Sequence, residues 1–515
     1  MPLDANLQPP PRRAVRRLLL LVALVSLSWS LYQLPLNRVI ERRLCREYYT
    51  IHDPSVAEPD GTVREEFCKV EPVQQGLGRI QGVMETMWVV GDFLMTVPLV
   101  TLAERYGHRA VLMLNLIPRM FLLAWTFAVG YFDQALPLNA IMVAPLFSFL
   151  GGDCVLNSIV YSLVASSTDD DVLRATFFGQ MNAVSSIFAY QLGPALASAS
   201  MQRLLWLPFW IGIVLLLLAV PVASTLPSMS TAESHHHRQG GPSDDSHDDM
   251  APLLPLSPRK PSLSFAESVA SRMRMVMIIV ISYPGNFTLL LCGFFLTSLA
   301  SSDTKLLTQY ISNRYKWKFT SVGYLLSGKA VFNFVLLYFV IPAVLRWRRA
   351  RPRPAAHAIR SGQQKLDDWS NIGYAHVCLV FSVLGAVAIG LASTIWLLIP
   401  SLLLYALGIA LPMFTYSLLR SPTMSPSKRD IAAAAGAGAD AITVGSTAQI
   451  FSIVMLVKTV GMLVGAPLIA SLWVYGVGVG GIGLGLPYFV SAACYGLVIV
   501  IFSRMRENIH DDPIP

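Results

Sequence analysis

Long apolar stretches alternate with short polar segments along almost the whole chain. A bilayer core about 30 Å thick is crossed by roughly 20 apolar residues in a helix, and twelve stretches are of about that length. They cover residues 18–38, 79–102, 110–131, 138–164, 174–199, 203–224, 286–303, 320–345, 372–393, 396–419, 446–472 and 483–503. The pattern predicts an all-α membrane protein in which twelve transmembrane helices form two six-helix bundles.

Polar segments at the ends and in the middle divide the chain into five regions. We predict a tail over residues 1–17, a first bundle over 18–224, a linker over 225–283, a second bundle over 284–505 and a tail over 506–515. The linker is rich in Pro, Ser, His and Asp. This composition is typical of disordered segments, which bury little apolar surface.

The composition agrees with a lipid environment. Hydrophobic residues make up 54% of the chain and charged residues 14%, whereas soluble domains contain about 25% charged residues. The net charge of +8 comes from Lys and Arg that cluster in loops, and no basic arm of the kind that binds nucleic acid is present. The composition therefore excludes nucleic acid and indicates the bilayer as a partner.

The loop charges also predict an orientation. Loops on the side of both termini carry about twice as many Lys and Arg residues as the opposite loops. The positive-inside rule then places both termini in the cytoplasm, in a plasma membrane or a vacuolar membrane. A polar loop predicted for residues 39–78 lies on the other side and contains Cys45 and Cys68. In an oxidising compartment these cysteines favour a disulfide, the alternative being two free thiols.

The loop between the second and third spans has a recognisable pattern. It reads LAERYGHR, with Glu104, Arg105, Gly107 and Arg109 in order. This resembles the loop motif of the major facilitator superfamily, in which the cluster latches the two halves together. The resemblance implies structural or gating roles for these four residues. The chain departs from the family motif in having Glu where Asp is usual, and Val100 where Gly is common.

Two further patches carry the resemblance. Gly193-Pro194 resembles the fifth-helix motif, and the segment over residues 465–488 is similar to fungal superfamily members of unassigned substrate. The stretch over residues 45–49 resembles those proteins and the solute carrier 46 branch, which includes the proton-coupled folate transporter. The resemblance implies secondary transport by alternating access, in which two halves rock around a central site. We expect no cofactor and a monomer.

Acidic residues inside the spans are concentrated in the first half. An ionisable side chain within a span costs at least about 2.5 kcal/mol, so it usually faces a cavity or a partner. Asp92, Glu85 and Asp153 are the acids, and we predict that they couple transport to protons because a buried carboxylate can exchange a proton near neutral pH. Arg119 is predicted to pair with Asp92 or Asp153. Alternatively, Glu85 reaches the membrane interface.

The second half contains Lys329 and Lys458 near mid-depth and, on this span assignment, no mid-span acid. We predict that both lysines bind an anionic group of a substrate. Alternatively, they extend to the interface or pair with acids of the first half. Five polar residues are predicted to complete the site: Tyr32, Gln33, Asn157, Tyr405 and Tyr416. Alternatively, they serve packing and interhelical hydrogen bonds.

These features predict a proton-coupled symporter for a small organic solute that is anionic or carries a carboxylate. The alternatives are proton-driven efflux of amphipathic drugs or toxins and, in another class, a non-transporting membrane receptor or scaffold. An enzyme is not expected, because the histidines are scattered and no phosphate-binding glycine-rich loop with its lysine is present. We expect no metal site.

Overall fold

The computed structural model describes residues 11–58, 62–166, 177, 180–181, 183–226, 285–340, 343, 360–418 and 446–511. These residues form helices joined by short turns. The predicted linker lies outside the described residues apart from residues 225 and 226. Of the predicted tails, residues 11–17 and 506–511 continue the first and last helices.

Six helical segments make up the first half. They are α1 (Pro11–His52), α2 (Glu71–Tyr106), α3 (His108–Tyr131), α4 (Leu138–Leu150 and Asp153–Ser166), α5 (Ile187–Leu192 and Gly193–Arg203) and α6 (Leu207–Ser224). Their buried apolar side chains form one continuous core. The first part of α4 is a 3-10 helix, and a glycine pair separates it from the α-helical second part.

Six segments make up the second half. They are α7 (Asn286–Ala300 and Asp303–Arg314), α8 (Phe319–Val335 and Leu336–Val340), α9 (Arg360–Leu391), α10 (Ile395–Ala406, Leu407–Ala410 and Leu411–Leu418), α11 (Ser446–Val479) and α12 (Leu486–Asp511). Over the described residues, nine of the twelve segments are long and apolar enough to cross a membrane by themselves.

Helix α1 is much longer than the span predicted for residues 18–38. Its 42 residues extend over about 63 Å at 1.5 Å per residue. The predicted polar loop over residues 39–78 is wrong for this reason: α1 continues to His52, and α2 already begins at Glu71. The polar extension is held in place because Arg43 donates to three backbone carbonyl oxygens at 2.6–2.8 Å, one in the last turn of α3 and two between α3 and α4.

A disulfide between Cys45 and Cys68 attaches the segment before α2 to this extension of α1. Both cysteines are fully buried, and Val63 and Val73 pack beside them. We call residues 62–70 the strap, and the end of the molecule that carries them the disulfide face. The opposite end, where α1 begins and α12 ends, is the termini face.

The two halves pack closely near the disulfide face. Gly78 and Gly82 of α2 lie directly against Trp473 and Ala470 of α11, so that added methyl groups would collide with them. Small residues permit this approach of two membrane helices. Likewise, Gly323 at the start of α8 lies against the second part of α5. All three glycines lie in the parts of α2 and α8 nearest the disulfide face.

Removing the disulfide should destabilise this end of the molecule. A disulfide typically contributes about 2–4 kcal/mol, largely by restricting the unfolded chain. We expect the double variant with Cys45→Ser and Cys68→Ser to have a lower apparent melting temperature in detergent. The control is Cys292→Ser, which replaces an exposed free cysteine. Equal melting temperatures of the double variant and the wild type would contradict the structural role of the disulfide.

Candidate substrate site

A cavity of about 250 Å³ lies within the second half and is lined by residues of α7 to α12. Pockets for drug-sized ligands measure roughly 300–1,000 Å³, so this cavity suits a small solute. The two lysines predicted to bind substrate, Lys329 on α8 and Lys458 on α11, both line it. Tyr405 and Tyr416 of α10 line it as well.

One end of the cavity is formed around Lys458. Its ammonium donates a hydrogen bond to the Tyr416 hydroxyl at 2.7 Å. The Tyr416 ring stacks on Phe294 of α7, with ring centroids 5.6 Å apart. Ser298 donates to the backbone carbonyl of Lys458 at 2.7 Å, which fixes α11 against α7. Packing and hydrogen bonds from two neighbouring helices therefore hold this lysine at the cavity wall.

The other end is formed around Lys329. Its ammonium lies 5.7 Å from the centroid of the Tyr405 ring, at cation–π distance. The Tyr405 hydroxyl donates to the carboxylate of Asp303, at 3.1 and 3.2 Å from its two oxygens, and lies 3.2 Å from the Tyr495 hydroxyl. The opposite charges of Asp303 and Lys329 attract each other.

The prediction that the second half contains no mid-span acid is wrong, because Asp303 is such an acid. The apolar run of the seventh span ends near residue 303, but α7 continues to Arg314 and Asp303 is fully buried. The polar residues around it resemble the start of a loop. The apolar positions that follow at helical spacing, Leu306, Tyr310 and Ile311, are also buried. Their periodicity is the signal that the helix continues.

In the first half, Arg119 pairs with Asp153 rather than with Asp92. The guanidinium donates to the Asp153 carboxylate at 2.6 Å and to the side-chain oxygen of Asn115 at 3.1 Å. Asn115 in turn donates to the carbonyl of Gly152 at 2.9 Å. This arrangement fixes α3 to the break in α4.

Asp92 lies at the same break in α4. Its two oxygens accept from the backbone N–H of Cys154 at 3.1 and 3.2 Å. Cys154 is in the first turn of the second part of α4, where a negative charge is stabilised by the helix dipole. Gly152 lacks the Cβ atom that would collide with the Asp92 carboxylate. The sequence predicted a buried acid here but not this contact with a helix N-terminus.

The remaining polar residues predicted for the substrate site lie away from this cavity. Tyr32 is buried in the first half, with its ring 5.5 Å from that of Trp29. Gln33 is partly buried on α1, and its carbonyl accepts from Asn37. Asn157 is exposed on α4. Of the predicted substrate residues, the structure thus brings together Lys329, Lys458, Tyr405 and Tyr416.

Glu85 forms an ion pair across the two halves. Its carboxylate lies 2.5 Å from the ammonium of Lys305 on α7. The Lys305 side chain is 49% exposed although it lies within α7. Glu85 therefore faces the second half and does not extend to the membrane interface.

Between this ion pair and the disulfide face, buried polar residues join the halves in two layers. In the first, Gln309 of α7 donates to Gln81 and to Asn37, the latter at 3.2 Å. In the second, Lys69 of the strap donates to Glu41 of α1 and to Ser312 of α7, both at 2.6 Å. We call these two layers together with the Glu85–Lys305 pair the gate.

The strap also bonds to the turn between α7 and α8. The backbone N–H of Phe319 donates to Glu65 at 2.8 Å, and Lys316 donates to the carbonyl of Lys69 at 2.5 Å. Burial lowers the pKa of Lys316, and the positive charge of Lys69 lowers it further. Since Lys69 lies next to Cys68, the disulfide holds the segment that closes this face.

Known proteins resemble this chain over most of its length. It is 26% identical over 498 residues to the MFS efflux pump atnC of Emericella nidulans, covering 95% of this chain and 88% of that protein. It is 24% identical over 496 residues to the MFS-type transporter aprT of Aspergillus flavus, with 95% and 88% covered. The crystal structure of the nucleoside transporter NupG has a TM-score of 0.57 at 13% identity, covering 97% of this chain and 100% of that one. No family model matches the chain.

The chain resembles fungal transporters of the major facilitator superfamily over most of its length. The prediction of an all-α membrane protein with two six-helix bundles is confirmed, and so is the resemblance to fungal members. The similar proteins are transporters, so this protein is a multi-pass membrane transporter and not an enzyme. The resemblance to the solute carrier 46 branch stays a prediction.

The superfamily loop motif is described in part. Gly107 joins α2 directly to α3 with a φ of +91°, a conformation that glycine adopts readily and other residues seldom do. Arg109 is exposed in the first turn of α3. The side chains of Glu104 and Arg105 lie outside the described residues, so the gating roles of this motif stay predictions.

Breaking the Glu85–Lys305 pair should favour opening of the disulfide face. A partly exposed ion pair contributes on the order of 1 kcal/mol. Glu85→Gln or Lys305→Gln should therefore raise the ratio of molecules open at the disulfide face to molecules closed there about fivefold. The measurement uses spin labels at two exposed residues of this face, Ile51 on α1 and Trp396 on α10, in a protein whose free cysteines have been replaced. The distribution of distances between the two labels should then gain a longer component.

The exchanged variant, Glu85→Lys with Lys305→Glu, provides the matched control, since it restores opposite charges at the same positions. Its distance distribution should return towards that of the wild type. Distributions that are the same in the wild type and in both single variants would show that this pair does not hold the gate.

Proposed function

We propose that this protein is a secondary transporter of the major facilitator superfamily that moves a small organic anion by alternating access, with the cavity of the second half as its binding site. The observation that carries the proposal is the presence of two lysine side chains, Lys329 and Lys458, in one cavity. Asp303 offsets the charge of Lys329, so the two lysines leave one positive charge in the cavity. Such a charge is costly inside a membrane bundle unless a partner compensates it, and an anionic solute is such a partner.

The gate supports alternating access. Its layers of polar bonds hold the halves together at the disulfide face, where bonds can break and re-form as the halves rock. With the termini in the cytoplasm, as the loop charges predict, the disulfide face is extracytoplasmic, which agrees with an oxidised Cys45–Cys68 pair. The structure then corresponds to a state closed to the outside.

Proton coupling is proposed through the three acids of the first half. Glu85 is the acid whose protonation would act most directly on the gate, because the loss of its charge removes the attraction to Lys305. Asp153 and Asp92 act through α4: the first binds Arg119, and the second caps the break in the helix. A proton at either position weakens a contact that fixes α4.

A second candidate is efflux of amphipathic drugs or toxins. It is favoured by the similarity to a protein described as an MFS efflux pump and by the largely apolar and aromatic walls of the cavity. A non-transporting receptor or scaffold is the third candidate. It predicts no flux of any solute, so transport assays separate it from the other two.

Uptake into proteoliposomes under an imposed pH gradient tests the leading proposal. With a panel of small organic anions, we expect accumulation that depends on the gradient. Lys458→Ala should weaken anion binding about tenfold or more, since a hydrogen bond to a charged group contributes about 1.5–3 kcal/mol. Lys329→Ala should weaken it as well, because the Asp303 carboxylate is then left without a nearby cation. The control is Arg203→Ala, an exposed cation at the end of α5. Wild-type affinity in both lysine variants would rule out the anion site.

Asp92→Asn tests the coupling role. The amide oxygen can still accept from the N–H of Cys154, so the fold should persist, while the side chain no longer exchanges a proton. We expect substrate binding to stay within about twofold of the wild type and the pH dependence of uptake to be lost. Gly373→Ala is the control, because a methyl group at this α9 position meets open space. An unchanged pH profile in Asp92→Asn would remove Asp92 from the coupling role.

A further inference from the structure

The two lysines contact tyrosines at different levels of α10. These partners, Tyr405 and Tyr416, are eleven residues apart, and the helix between them includes the 3-10 segment Leu407–Ala410. Both line the cavity, and their positions on α10 are roughly 16–19 Å apart along its axis. The cavity is accordingly elongated, and its two ends can be considered separately.

At the end around Lys329, two opposite charges offset each other. Asp303 and Lys329 both contact Tyr405, the carboxylate at its hydroxyl and the ammonium over its ring, and their charges attract. The hydroxyl of Tyr405 bonds to the Asp303 carboxylate, and that of Tyr495 lies beside it. This end therefore offers hydrogen-bonding groups but does not attract a second negative charge.

The same end contains an acceptor without a donor. Asn333 lies one helical turn after Lys329 on α8 and lines the cavity. Its side-chain oxygen is buried and has no hydrogen-bond partner among the described residues. A buried acceptor left unsatisfied costs about 1–3 kcal/mol. A hydroxyl or N–H group of a bound solute would supply the missing donor.

The end at Lys458 has no acidic partner. The ammonium bonds to the hydroxyl of Tyr416, and no carboxylate in the described part of the chain forms an ion pair with it. A partly buried cation without an acidic partner is electrostatically uncompensated. An anionic group of the solute is therefore best placed here.

The rest of the lining combines aromatic and apolar side chains with hydroxyl groups whose protons are already used. Phe294, Phe502, Ile409 and Met462 are among the apolar residues. The hydroxyl groups all donate to backbone carbonyl oxygens and belong to Thr297, Ser298, Ser301, Thr304, Ser382 and Thr415. Phe294 already stacks on Tyr416, and aromatic rings prefer such stacked or edge-to-face partners. A flat apolar body fits this space better than a sugar or another polyhydroxylated body, whose hydroxyl groups would face few partners.

We propose that the cavity selects elongated aromatic monoanions. The anionic group binds Lys458, the rings lie between Phe294 and Phe502, and a neutral hydrogen-bond donor at the far end reaches Asn333 beside the Asp303–Lys329 pair. The inference rests on the proposed function and deepens it by naming the substrate class. Asp303 is the specificity-determining residue, because it cancels the second lysine and so excludes dianions.

Three length-matched probes test this selectivity by calorimetric binding to the full-length protein in nanodiscs. They are a hydroxybiphenyl carboxylate with its groups at opposite para positions, the corresponding biphenyl dicarboxylate, and dihydroxybiphenyl. We expect the wild type to bind the monoanion at least tenfold more tightly than the other two. Lys458→Met should weaken monoanion binding at least tenfold and leave dihydroxybiphenyl unaffected.

Asp303→Asn should shift the preference towards the dicarboxylate by at least tenfold, because Lys329 is then uncompensated. The double variant with Asp303→Asn and Lys329→Met should restore the preference for the monoanion, which excludes a general loss of structure. An unchanged ratio of dianion to monoanion affinity in Asp303→Asn would overturn the inference, as would failure of the wild type to bind the monoanion. If uptake of another organic anion still required Lys458, the proposed function would stand while this substrate class would not.

Discussion

Closure of the disulfide face depends on the buried ammonium of Lys69. It bonds to Glu41 in the first half and to Ser312 in the second, and its charge also faces the ring of Phe319 at 4.3 Å. Removing one partner of such a buried ion pair strongly destabilises a protein, because the other charge is left buried without compensation. The strap, the disulfide and the start of α8 are all arranged around this single cation, so the halves are joined by polar bonds as well as by apolar packing.

Buried charges are distributed unequally between the halves. In the first half, Asp92, Asp153 and Arg119 have partners within their own half, and Glu85 has one across the gate. In the second half, Lys329 has an acid nearby, whereas Lys458 has a hydroxyl partner but no acidic one among the described residues. The arrangement suits a division in which the first half responds to protons and the second half holds the solute.

The sequence was sufficient to predict the helices, because the length of an apolar run is set by the thickness of the bilayer. It also identified two cavity lysines, since a charge within an apolar run is conspicuous. Asp303 was missed because polar neighbours made it resemble a loop residue. The positions of Tyr32, Gln33 and Asn157 could not be predicted, because they depend on how each helix is rotated, and apolar residues on all sides of a membrane helix leave that rotation undefined.

The length of α1 has a mechanical consequence. About a third of this helix lies beyond the predicted span towards the disulfide face, and Cys45 on the extension carries the strap through its disulfide. Because Arg43 bonds the extension to the end of α3 and the following turn, it moves with the first bundle: a tilt of about 10° would move a point 30 Å along the helix by about 5 Å. That displacement exceeds the reach of a hydrogen bond. A small rotation of the first bundle would thus suffice to separate Lys69 from Ser312, without any unfolding of the strap.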